Sequence, residues 1–541
     1  MVSELSIEAA AAELLGFAAL RPGQEEAVRA VLDGRDTLAV LPTGSGKSAI
    51  YQLATAIGGG PTVIVSPLLA LQRDQVDAIE ESGIGEAAAL NSTLSRSARE
   101  ELFEEAEDDE LEFVFLAPEQ LAHEETVARL RNAQPKLLVV DEAHCISEWG
   151  HDFRPEYLHL GSAVEALGRP VVLALTATAA PPVRAEIVER LGMREPALVI
   201  RGFDRPNIHL SVQTFHDEEH KKRALVEDVA AGPTPVIVYT ATRRRTEELA
   251  ERLDEAHVDA LPYHAGLAHA EREATQEAFM HDRTEAVVAT IAFGLGVDKP
   301  NVRSVVHAEV SDSVDEYYQE LGRAGRDGGP ARAVLYYRPE DVGLRRFFAG
   351  GGHLEVDEVL EVAESVAAAQ GPVDPRDLRE ETGLSETKIT SALGRLEEVG
   401  AVRVRADGRV TVTDRASDLH RAAVEAAEAQ QHRKDYDRTR VEMMRGYAET
   451  RSCRRAYLLS YFGEEYAPPC GNCDNCDAGH GVPTAGDEPF EIGARVVHEQ
   501  WGEGAVERYD GDAMLVLFDS GGYRTLSVAL VRERGLLVAL S

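Results

Sequence analysis

Positive charge, cysteine and long apolar runs are all scarce in this sequence. Its 541 residues carry 94 Asp and Glu against 56 Lys and Arg, which gives a formal net charge of −38. A charge this negative excludes nucleic-acid binding through a general basic field, so any such binding must use local basic patches. Five cysteines argue against a disulfide framework. No apolar run approaches the roughly 20 residues that cross a bilayer, and we therefore expect no membrane contact.

Lysine is rare, and a basic amino-terminal segment is absent. Only seven of the 56 basic residues are lysine, and an acidic, lysine-poor surface suits high intracellular salt. The composition therefore raises the hypothesis of a halophilic or high-GC source. The first residues, MVSELSIEAAAAELLG, lack the basic region that begins a signal peptide, so we expect a cytoplasmic protein.

Apolar runs that are typical of strands alternate with helical stretches up to about residue 345. Nearly continuous apolar strands indicate parallel sheets with helices on both faces. We therefore predict an α/β protein with two successive parallel-sheet domains, joined near residues 201–210. The predicted strands of the first domain are TLAVL (37–41), TVIVS (62–66), LEFVFLA (111–117), KLLVVD (136–141) and VVLALTA (171–177). Those of the second are PVIVYT (235–240), ALPYHA (260–265), EAVVAT (285–290), VRSVVHA (302–308) and ARAVLYY (331–337).

From residue 353 the pattern changes. Residues 354–399 predict three helices and residues 401–413 predict a hairpin, a combination that indicates a winged helix. Such a segment either contacts nucleic acid or acts as a structural spacer. After a polar linker, the last residues (491–541) contain short strands broken by Gly and Asp, which indicate a small β-barrel.

The sequence TLAVLPTGSGKSAIYQL (37–53) places a glycine-rich turn between a strand and a helix. Such a turn lets backbone N–H groups and the helix N-terminus face phosphate oxygens. Lys47 would reach the β- and γ-phosphates and the Ser48 hydroxyl would hold Mg²⁺. The alternative is a chance glycine-rich loop, against which the strand–turn–helix context argues. The predicted nucleotide-binding residues of the turn are Thr43, Gly44, Ser45, Gly46, Lys47 and Ser48.

Two carboxylates, Asp141 and Glu142, end the predicted strand KLLVVD, where ligands collect in open α/β sheets. Asp141 would hold Mg²⁺ and Glu142 would polarise the attacking water. His144 completes the tetrad DEAH and joins the predicted catalytic set. The residues that follow, CISEWGHDF (145–153), are compatible with a metal site, a redox site, ordinary core or a nucleic-acid contact. A further strand end, LALTATA (173–179), is a candidate link between the nucleotide and moving parts.

The segment YYQELGRAGRDGGPA (317–331) contains two arginines among glycines. Arg323 and Arg326 lie in the second domain, so they reach a γ-phosphate only if the two domains close together. Such an arginine finger increases the rate by roughly 10³–10⁵ where it has been measured. The alternative is that the two arginines are solvated surface residues, and the other motifs argue against this interpretation.

Four cysteines, Cys453, Cys470, Cys473 and Cys476, have the spacing C-x16-C-x2-C-x2-C. This spacing predicts a closed tetrahedral zinc site, although an iron–sulfur cluster also uses four thiolates. Residues 431–460 hold eight Lys and Arg against four Asp and Glu, which makes them a candidate phosphate-contacting surface. Cys145 is left over and is interpreted as a packed thiol.

In this order the motifs resemble those of RecQ-type DNA helicases of superfamily 2, over about residues 1–350 and 430–478. The resemblance implies RecA-like helicase domains, Zn²⁺ at the four cysteines, and ATP-driven 3′-to-5′ translocation with duplex unwinding in repair or recombination. It implies that FAALRPGQEEAVRAVLDGRD (17–36) reads adenine with Phe17, Arg21 and Gln24, and that Asp298 contributes to the cofactor site. It further implies a nucleoid-associated protein acting on single-stranded and branched or duplex DNA. The residues expected to sense DNA are Trp149, His151, Phe153 and Arg154.

The predicted domain order departs from the family pattern, because the winged-helix-like segment precedes the cysteines. The predicted boundaries are 1–200 and 201–350 for the helicase domains, 353–418, 420–478 for the zinc-binding module, 479–490 for the linker, and 491–541. The last unit resembles the Tudor-like barrel of UvrD-type helicases, which implies a protein partner, against a stability or DNA-contact role. Two other functions stay open: an ATPase that remodels nucleoprotein complexes on DNA or RNA, and an adaptor that recruits a partner with ATP-switched affinity.

Overall fold

The computed structural model describes residues 6–540, apart from residues 68, 92–93, 109, 148–153, 294–298, 344–354, 370, 405–408, 414–417, 465, 481–487, 492, 511–512 and 520–521. The chain forms two compact units. The first comprises Met1–Asp341 with Met444–Pro483, and the second comprises Val342–Met443 with Thr484–Ser541. Among the described helices, none has an apolar stretch long enough to span a lipid bilayer.

A seven-stranded sheet in the order β3-β4-β2-β5-β6-β1-β7 forms the centre of the first α/β domain. All of its strand pairs are parallel. The strands are short, and β1, β2, β4 and β5 are fully buried because helices pack on both faces. They are β1 (Thr37–Val40), β2 (Thr62–Val65), β3 (Ala87–Leu90), β4 (Phe113–Leu116), β5 (Leu137–Val140), β6 (Val171–Thr176) and β7 (Ala197–Ile200). The helices are α1 (Ile7–Leu15), α2 (Gln24–Leu32), α3 (Ser48–Gly58), α4 (Leu69–Ser82), α5 (Arg96–Glu107), α6 (Glu124–Asn132), α7 (Leu160–Ala166) and α8 (Pro181–Arg190).

The second α/β domain has a six-stranded parallel sheet in the order β10-β11-β9-β12-β13-β8. Its strands are β8 (Ile208–Thr214), β9 (Val236–Tyr239), β10 (Ala260–Tyr263), β11 (Ala286–Ala289), β12 (Ser304–His307) and β13 (Ala331–Tyr337). Its helices are α9 (Glu218–Ala231), α10 (Arg243–Glu255), α11 (His269–Met280) and α12 (Val314–Leu321). The ten predicted strands are therefore confirmed, and β3, β7 and β8 are additional.

The cysteine-containing segment belongs to the same unit as the two sheets. Its helices are α17 (Arg454–Tyr461) and α18 (Asp474–Asp477), which follow a long helix, α16 (Leu419–Glu449). The segment packs on the edge strand β8: the Val212 N–H donates to Asp474 Oδ2 over 2.8 Å, and the Leu210 N–H lies 3.4 Å from Asn472 O. The four cysteines are thus held against the second sheet.

The second compact unit contains the predicted winged-helix pattern, and the segment predicted to form a small β-barrel is a five-stranded antiparallel sheet. Three helices, α13 (Val356–Ala368), α14 (Pro375–Thr382) and α15 (Glu386–Glu398), pack with the hairpin β14 (Val402–Val404) and β15 (Val410–Val412) around a common apolar core. The carboxyl-terminal strands form an antiparallel sheet in the order β19-β18-β17-β16-β20. They are β16 (Arg495–His498), β17 (Gly502–Asp510), β18 (Ala513–Phe518), β19 (Gly522–Ser527) and β20 (Leu537–Ala539), with helix α19 (Val528–Arg534) before β20.

Candidate active site

The glycine-rich turn joins β1 to α3, as the sequence predicts, and α3 begins at Ser48. Gly44 and Gly46 have positive φ angles of 77° and 74°, a conformation that side chains disfavour. A Cβ on Gly46 would also lie 2.8 Å from Gln24 Nε2. The Lys47 ammonium group donates to Leu41 O over 3.2 Å. Both glycines are therefore needed to fold the turn around the position of the lysine.

Arg21, which precedes α2, and Gln24, the first residue of α2, form hydrogen bonds with this turn. The buried Gln24 amide donates to Ser45 O and Gly46 O, both over 2.9 Å, while its Oε1 accepts from the Arg21 N–H over 2.7 Å. The Arg21 guanidinium donates to Gly44 O. Two of the three residues that were expected to read adenine thus also hold the phosphate-binding turn in shape.

Asp141 and Glu142 follow β5 at the carboxyl edge of the first sheet. Asp141 Oδ1 accepts from the Glu142 N–H over 3.0 Å, and Ser66 Oγ lies 3.5 Å from Asp141 Oδ2. Burial, together with the neighbouring Glu142 charge, raises the pKa of Asp141 to about 6. Burial also acts to raise the pKa of Glu142, but its hydrogen bond to His144 and the charges of His144 and Lys47 bring it to about 2. Glu142 is thus the more acidic carboxyl group of the pair.

His144 connects Glu142 to the strand end LALTATA. Its Nδ1 lies 3.2 Å from Glu142 Oε2 and 2.9 Å from Thr176 Oγ1. The Thr176 hydroxyl is also 3.0 Å from Thr178 O, to which it donates. These contacts join the end of β6 to the carboxylates, and a link from there to moving parts stays a prediction.

The loop with the two arginines comes from the second domain, directly after α12. Arg323 is buried, and Arg326 lies beside the glycine-rich turn, since a Cβ on Gly44 would lie 3.4 Å from Arg326 Cδ. The charge of Arg326 adds to burial in lowering the pKa of Lys47, although Glu142 and Asp141 act in the opposite direction. Lysine, carboxylates and arginines are therefore neighbours across the two domains.

A cavity of about 760 Å³ brings most of the predicted nucleotide residues together. Its walls include Phe17, Arg21, Gln24, Thr43, Gly44, Gly46, Lys47, Ser48, Asp141, Glu142, Arg323 and Arg326. Ser45 and His144 are not in its wall, and Asp298 lies outside the described residues. The wall residues that were not predicted from the sequence include Tyr51, Gln75 and Gln319. Of these, Gln319 had a usable signal, because it belongs to the same sequence segment, YYQELGRAGRDGGPA, as Arg323 and Arg326.

A second cavity, of about 790 Å³, opens beside the first. Arg154, predicted to sense DNA, lines it together with Arg243 and Arg244 from the start of α10. Glu142 and Gln319 line both cavities. The other predicted sensor residues, Trp149, His151 and Phe153, lie outside the part of the chain that the structure describes. Arg243 and Arg244 were not predicted from the sequence as cavity residues, because three arginines at the start of a helix usually indicate a solvated surface.

The four predicted zinc ligands form one cluster. The Sγ atoms of Cys453, Cys470, Cys473 and Cys476 all lie within 4.8 Å of one another, and the Sγ atoms of Cys470 and Cys476 are 3.7 Å apart. Tetrahedral thiolates at the usual Zn–S distance are separated by about 3.8 Å, so the donor set fits one zinc ion. Cys145 is buried next to His144 and is not part of this cluster.

Family models identify the two parallel-sheet domains as those of an ATP-dependent helicase. Residues 21–186 match the DEAD/DEAH box helicase family, residues 220–328 match the helicase conserved C-terminal domain, and residues 416–477 match the RecQ zinc-binding family. The crystal structure of the DUF1998 helicase MrfA bound to DNA has a similar fold, with a TM-score of 0.52. The two sequences are 19% identical, and the match covers 79% of this chain and 64% of MrfA.

Relatives in sequence identify one family within the class of ATP-dependent helicases. The chain is 34% identical over 468 residues to the probable ATP-dependent DNA helicase RecS of Bacillus subtilis, covering 86% of this chain and 90% of RecS. It is 33% identical to RecQ of Pasteurella multocida and 34% identical to RecQ of B. subtilis, again over 86% of this chain, but it spans only 61% and 66% of those proteins. The chain belongs to the RecQ family of ATP-dependent helicases, and its cofactors are ATP, Mg²⁺ and Zn²⁺.

Proposed function

We propose that the chain is a DNA helicase that moves 3′-to-5′ along single-stranded DNA and separates duplexes in repair or recombination. The observation that carries the proposal is the common wall of the two cavities. Glu142 and Gln319 face the nucleotide cavity on one side and the arginine-lined cavity on the other. A change in the nucleotide therefore acts directly on residues that border the second cavity.

In this proposal the nucleotide cavity binds ATP with its base near Phe17, Arg21 and Gln24 and its phosphates at the glycine-rich turn. The backbone N–H groups of the turn and the N-terminus of α3 favour the negative charge of the phosphates. Ser48 and Asp141 would hold Mg²⁺, which would neutralise part of that charge. Asp298 belongs to the same proposed cofactor set.

Hydrolysis depends on residues from both domains. Glu142, the more acidic carboxyl group of the pair, orients and polarises the attacking water, and His144 fixes the orientation of Glu142 through its 3.2 Å contact. Lys47, Arg323 and Arg326 stabilise the charge that develops on the transferred phosphoryl group. Because the arginines come from the second domain, hydrolysis requires the two domains to be correctly apposed.

The second cavity is the proposed path of the DNA strand. Arg154, Arg243 and Arg244 would contact phosphates, which suits a strongly acidic protein that must concentrate its positive charge locally. Ile291, 60% exposed in the same wall, offers an apolar surface to a base. Trp149, His151 and Phe153 follow the carboxylates closely in sequence, and aromatic stacking contributes roughly 1–3 kcal/mol per base without regard to sequence.

The remaining segments have proposed supporting roles. The division into helicase domains (1–200 and 201–350), a winged-helix-like domain (353–418), a zinc-binding module (420–478), a linker (479–490) and a carboxyl-terminal unit (491–541) assigns the chemistry to the first two. The carboxyl-terminal unit is the proposed site for a protein partner. Association with the nucleoid follows from action on single-stranded and branched or duplex DNA.

Strand displacement on tailed duplexes tests the proposed function. We expect ATP-dependent release of the displaced strand from a duplex with a 3′ single-stranded tail, little release with a 5′ tail, and none with Lys47→Ala. ATP-independent release, or release from the 5′-tailed duplex alone, would contradict the proposed polarity. Hydrolysis stimulated by DNA without displacement on either duplex would favour a remodelling ATPase instead.

A further inference from the structure

The segment between the two sheets, residues 201–207, is bonded to the backbone of the arginine loop, residues 322–329. Arg205 Nη1 donates to Gly322 O over 3.0 Å, and its Nη2 donates to Ala324 O over 2.7 Å. Asn207 Nδ2 lies 2.8 Å from both Gly325 O and Gly329 O. Two side chains of the segment thus hold four carbonyl groups that surround Arg323 and Arg326.

Gly325 allows this close approach. Its φ is +54°, and a Cβ at this position would collide with Asn207 Nδ2. The Gly325 N–H donates in turn to Val302 O over 2.8 Å. The loop is therefore fixed on one side by the second domain and on the other by the segment that leads to the first domain.

The cysteine module fixes the opposite side of the same segment. Arg455 Nη1 donates to Asp204 Oδ1 over 2.6 Å, and the Phe203 N–H donates to Glu464 Oε2 over 3.0 Å. The Phe203 ring stacks on Phe462 with centroids 4.5 Å apart. A short segment with this many contacts is held rigidly rather than acting as a loose hinge.

The segment also borders the phosphate-binding turn. A Cβ on Gly202 would lie 3.6 Å from Pro42 Cδ. A cavity of about 250 Å³ is lined by residues of the turn (Thr43, Gly44, Ser45), the segment (Arg205, Asn207) and the arginine loop (Arg326). A displacement of the segment would therefore alter the position of Arg326 relative to the phosphates.

We propose that Arg205 is a positioning residue for hydrolysis. It holds the arginine loop in place relative to the phosphate-binding turn, and the cysteine module fixes the segment that carries Arg205 through contacts with Asp204 and Phe203. The inference rests on the proposed function of Arg323 and Arg326. Arg205 is not among the residues that line the nucleotide cavity, so it acts through the loop. Its planar guanidinium group carries several N–H donors and can donate to two carbonyls at once, and a lysine cannot reproduce this geometry.

Steady-state hydrolysis by the full chain tests the role of Arg205. We expect Arg205→Ala to lower kcat about 10- to 100-fold, because a small displacement of a catalytic group has costs of this size, while KM for ATP changes less than about threefold. Arg205→Lys should recover part of kcat. Arg201→Ala, which removes an exposed arginine from the same segment, is the matched control with unchanged kcat. An unchanged kcat in Arg205→Ala would overturn the inference.

A double-mutant cycle separates this inference from the proposed function. If Arg205 acts through the loop, Arg205→Ala and Arg326→Ala together should lower kcat by less than the product of their separate effects, because both substitutions impair the same loop. Effects that multiply would show an independent structural role and would overturn the inference. If Arg326→Ala alone leaves kcat unchanged, the proposed role of the arginine loop fails, whatever Arg205→Ala does.

Discussion

At the residue scale, Glu142 is held in an unusual backbone conformation. Its φ of +47° lies in the left-handed region, which costs a residue with a side chain on the order of 1–2 kcal/mol. Two contacts next to it maintain the conformation: the Glu142 N–H donates to Asp141 Oδ1, and the Tyr157 hydroxyl donates to Asp141 O over 3.0 Å. Strain of this kind persists where several contacts of the surrounding structure fix the backbone conformation, as at sites that orient a reacting group.

Glu142→Gln removes the charge of this side chain and keeps its shape. We expect turnover to fall by about 10²–10⁴-fold, the usual contribution of a positioned acid–base group, while the Kd for ATP changes little. The measurement pairs steady-state hydrolysis with equilibrium binding of a fluorescent ATP analogue. Retained turnover would remove Glu142 from its proposed role, and lost binding would show that the substitution damages the cavity as a whole.

The residues of the nucleotide cavity are largely predictable from sequence, because a phosphate-binding turn and a pair of carboxylates are short local patterns at strand ends. Gln75 and Tyr51 were missed for a physical reason. Their contact, a 2.9 Å hydrogen bond from the Tyr51 hydroxyl to Gln75 Oε1, depends on how α3 and α4 pack. The 3.2 Å contact of His144 with Glu142 likewise depends on the folded turn after β5.

At the scale of elements, the cysteine module combines a metal site with direct contacts to the chain between the sheets. Arg454 and Arg455 begin α17 immediately after Cys453, and their side chains are almost fully buried. They pair with Asp474 and Asp204 respectively. Metal binding therefore orders both a small segment and the contacts that this segment makes with its neighbours.

Cys470→Ser tests the metal site, and Cys470 is the suitable ligand because it is only partly buried. We expect the wild-type chain to contain one zinc ion and the variant to contain little, since a closed site needs four thiolates. The apparent Tm should fall by about 5 °C or more, because binding energy at such a site is folding energy. Metal analysis and thermal melting are the measurements.

Cys145→Ser is the matched control for zinc content, since Cys145 is a buried cysteine outside the cluster. It should keep its zinc. A Cys470→Ser variant that retains one tightly bound zinc ion would contradict the four-cysteine site. Iron rather than zinc in the wild-type chain would favour the iron–sulfur alternative.

The elements differ in how well the sequence predicts them. The apolar strands β1, β2, β4, β5 and β6 were recognisable because fully buried parallel strands are nearly continuous in Val, Leu and Ile. Strand β3 reads AAAL, and alanine has little strand preference, so only its pairing with β4 identifies it. Strand β8 has a half-exposed pattern because it is an edge strand, and the cysteine module that covers it is more than 200 residues away in sequence.

At the scale of the whole molecule, the acidic composition and a nucleic-acid substrate are compatible because the basic groups are concentrated. The formal net charge is −38, yet Arg154, Arg243 and Arg244 share one cavity. The composition excluded a general basic field, and the domain pattern along the chain was visible in the sequence. The sequence did not show that these arginines lie together, because they come from distant positions and meet only when the two sheets fold around one cleft.

The central claim is that ATP hydrolysis and DNA binding are coupled through adjoining cavities. The most direct test is ATP hydrolysis with increasing single-stranded DNA, in the wild-type chain and in a variant with both Arg243→Ala and Arg244→Ala. Arg223→Ala, an exposed arginine on α9, is the control. We predict unchanged basal hydrolysis in the double variant and a roughly 100-fold higher DNA concentration for half-maximal stimulation, as two lost charge-assisted contacts imply. Stimulation equal to that of the wild-type chain at every DNA concentration would contradict the claim.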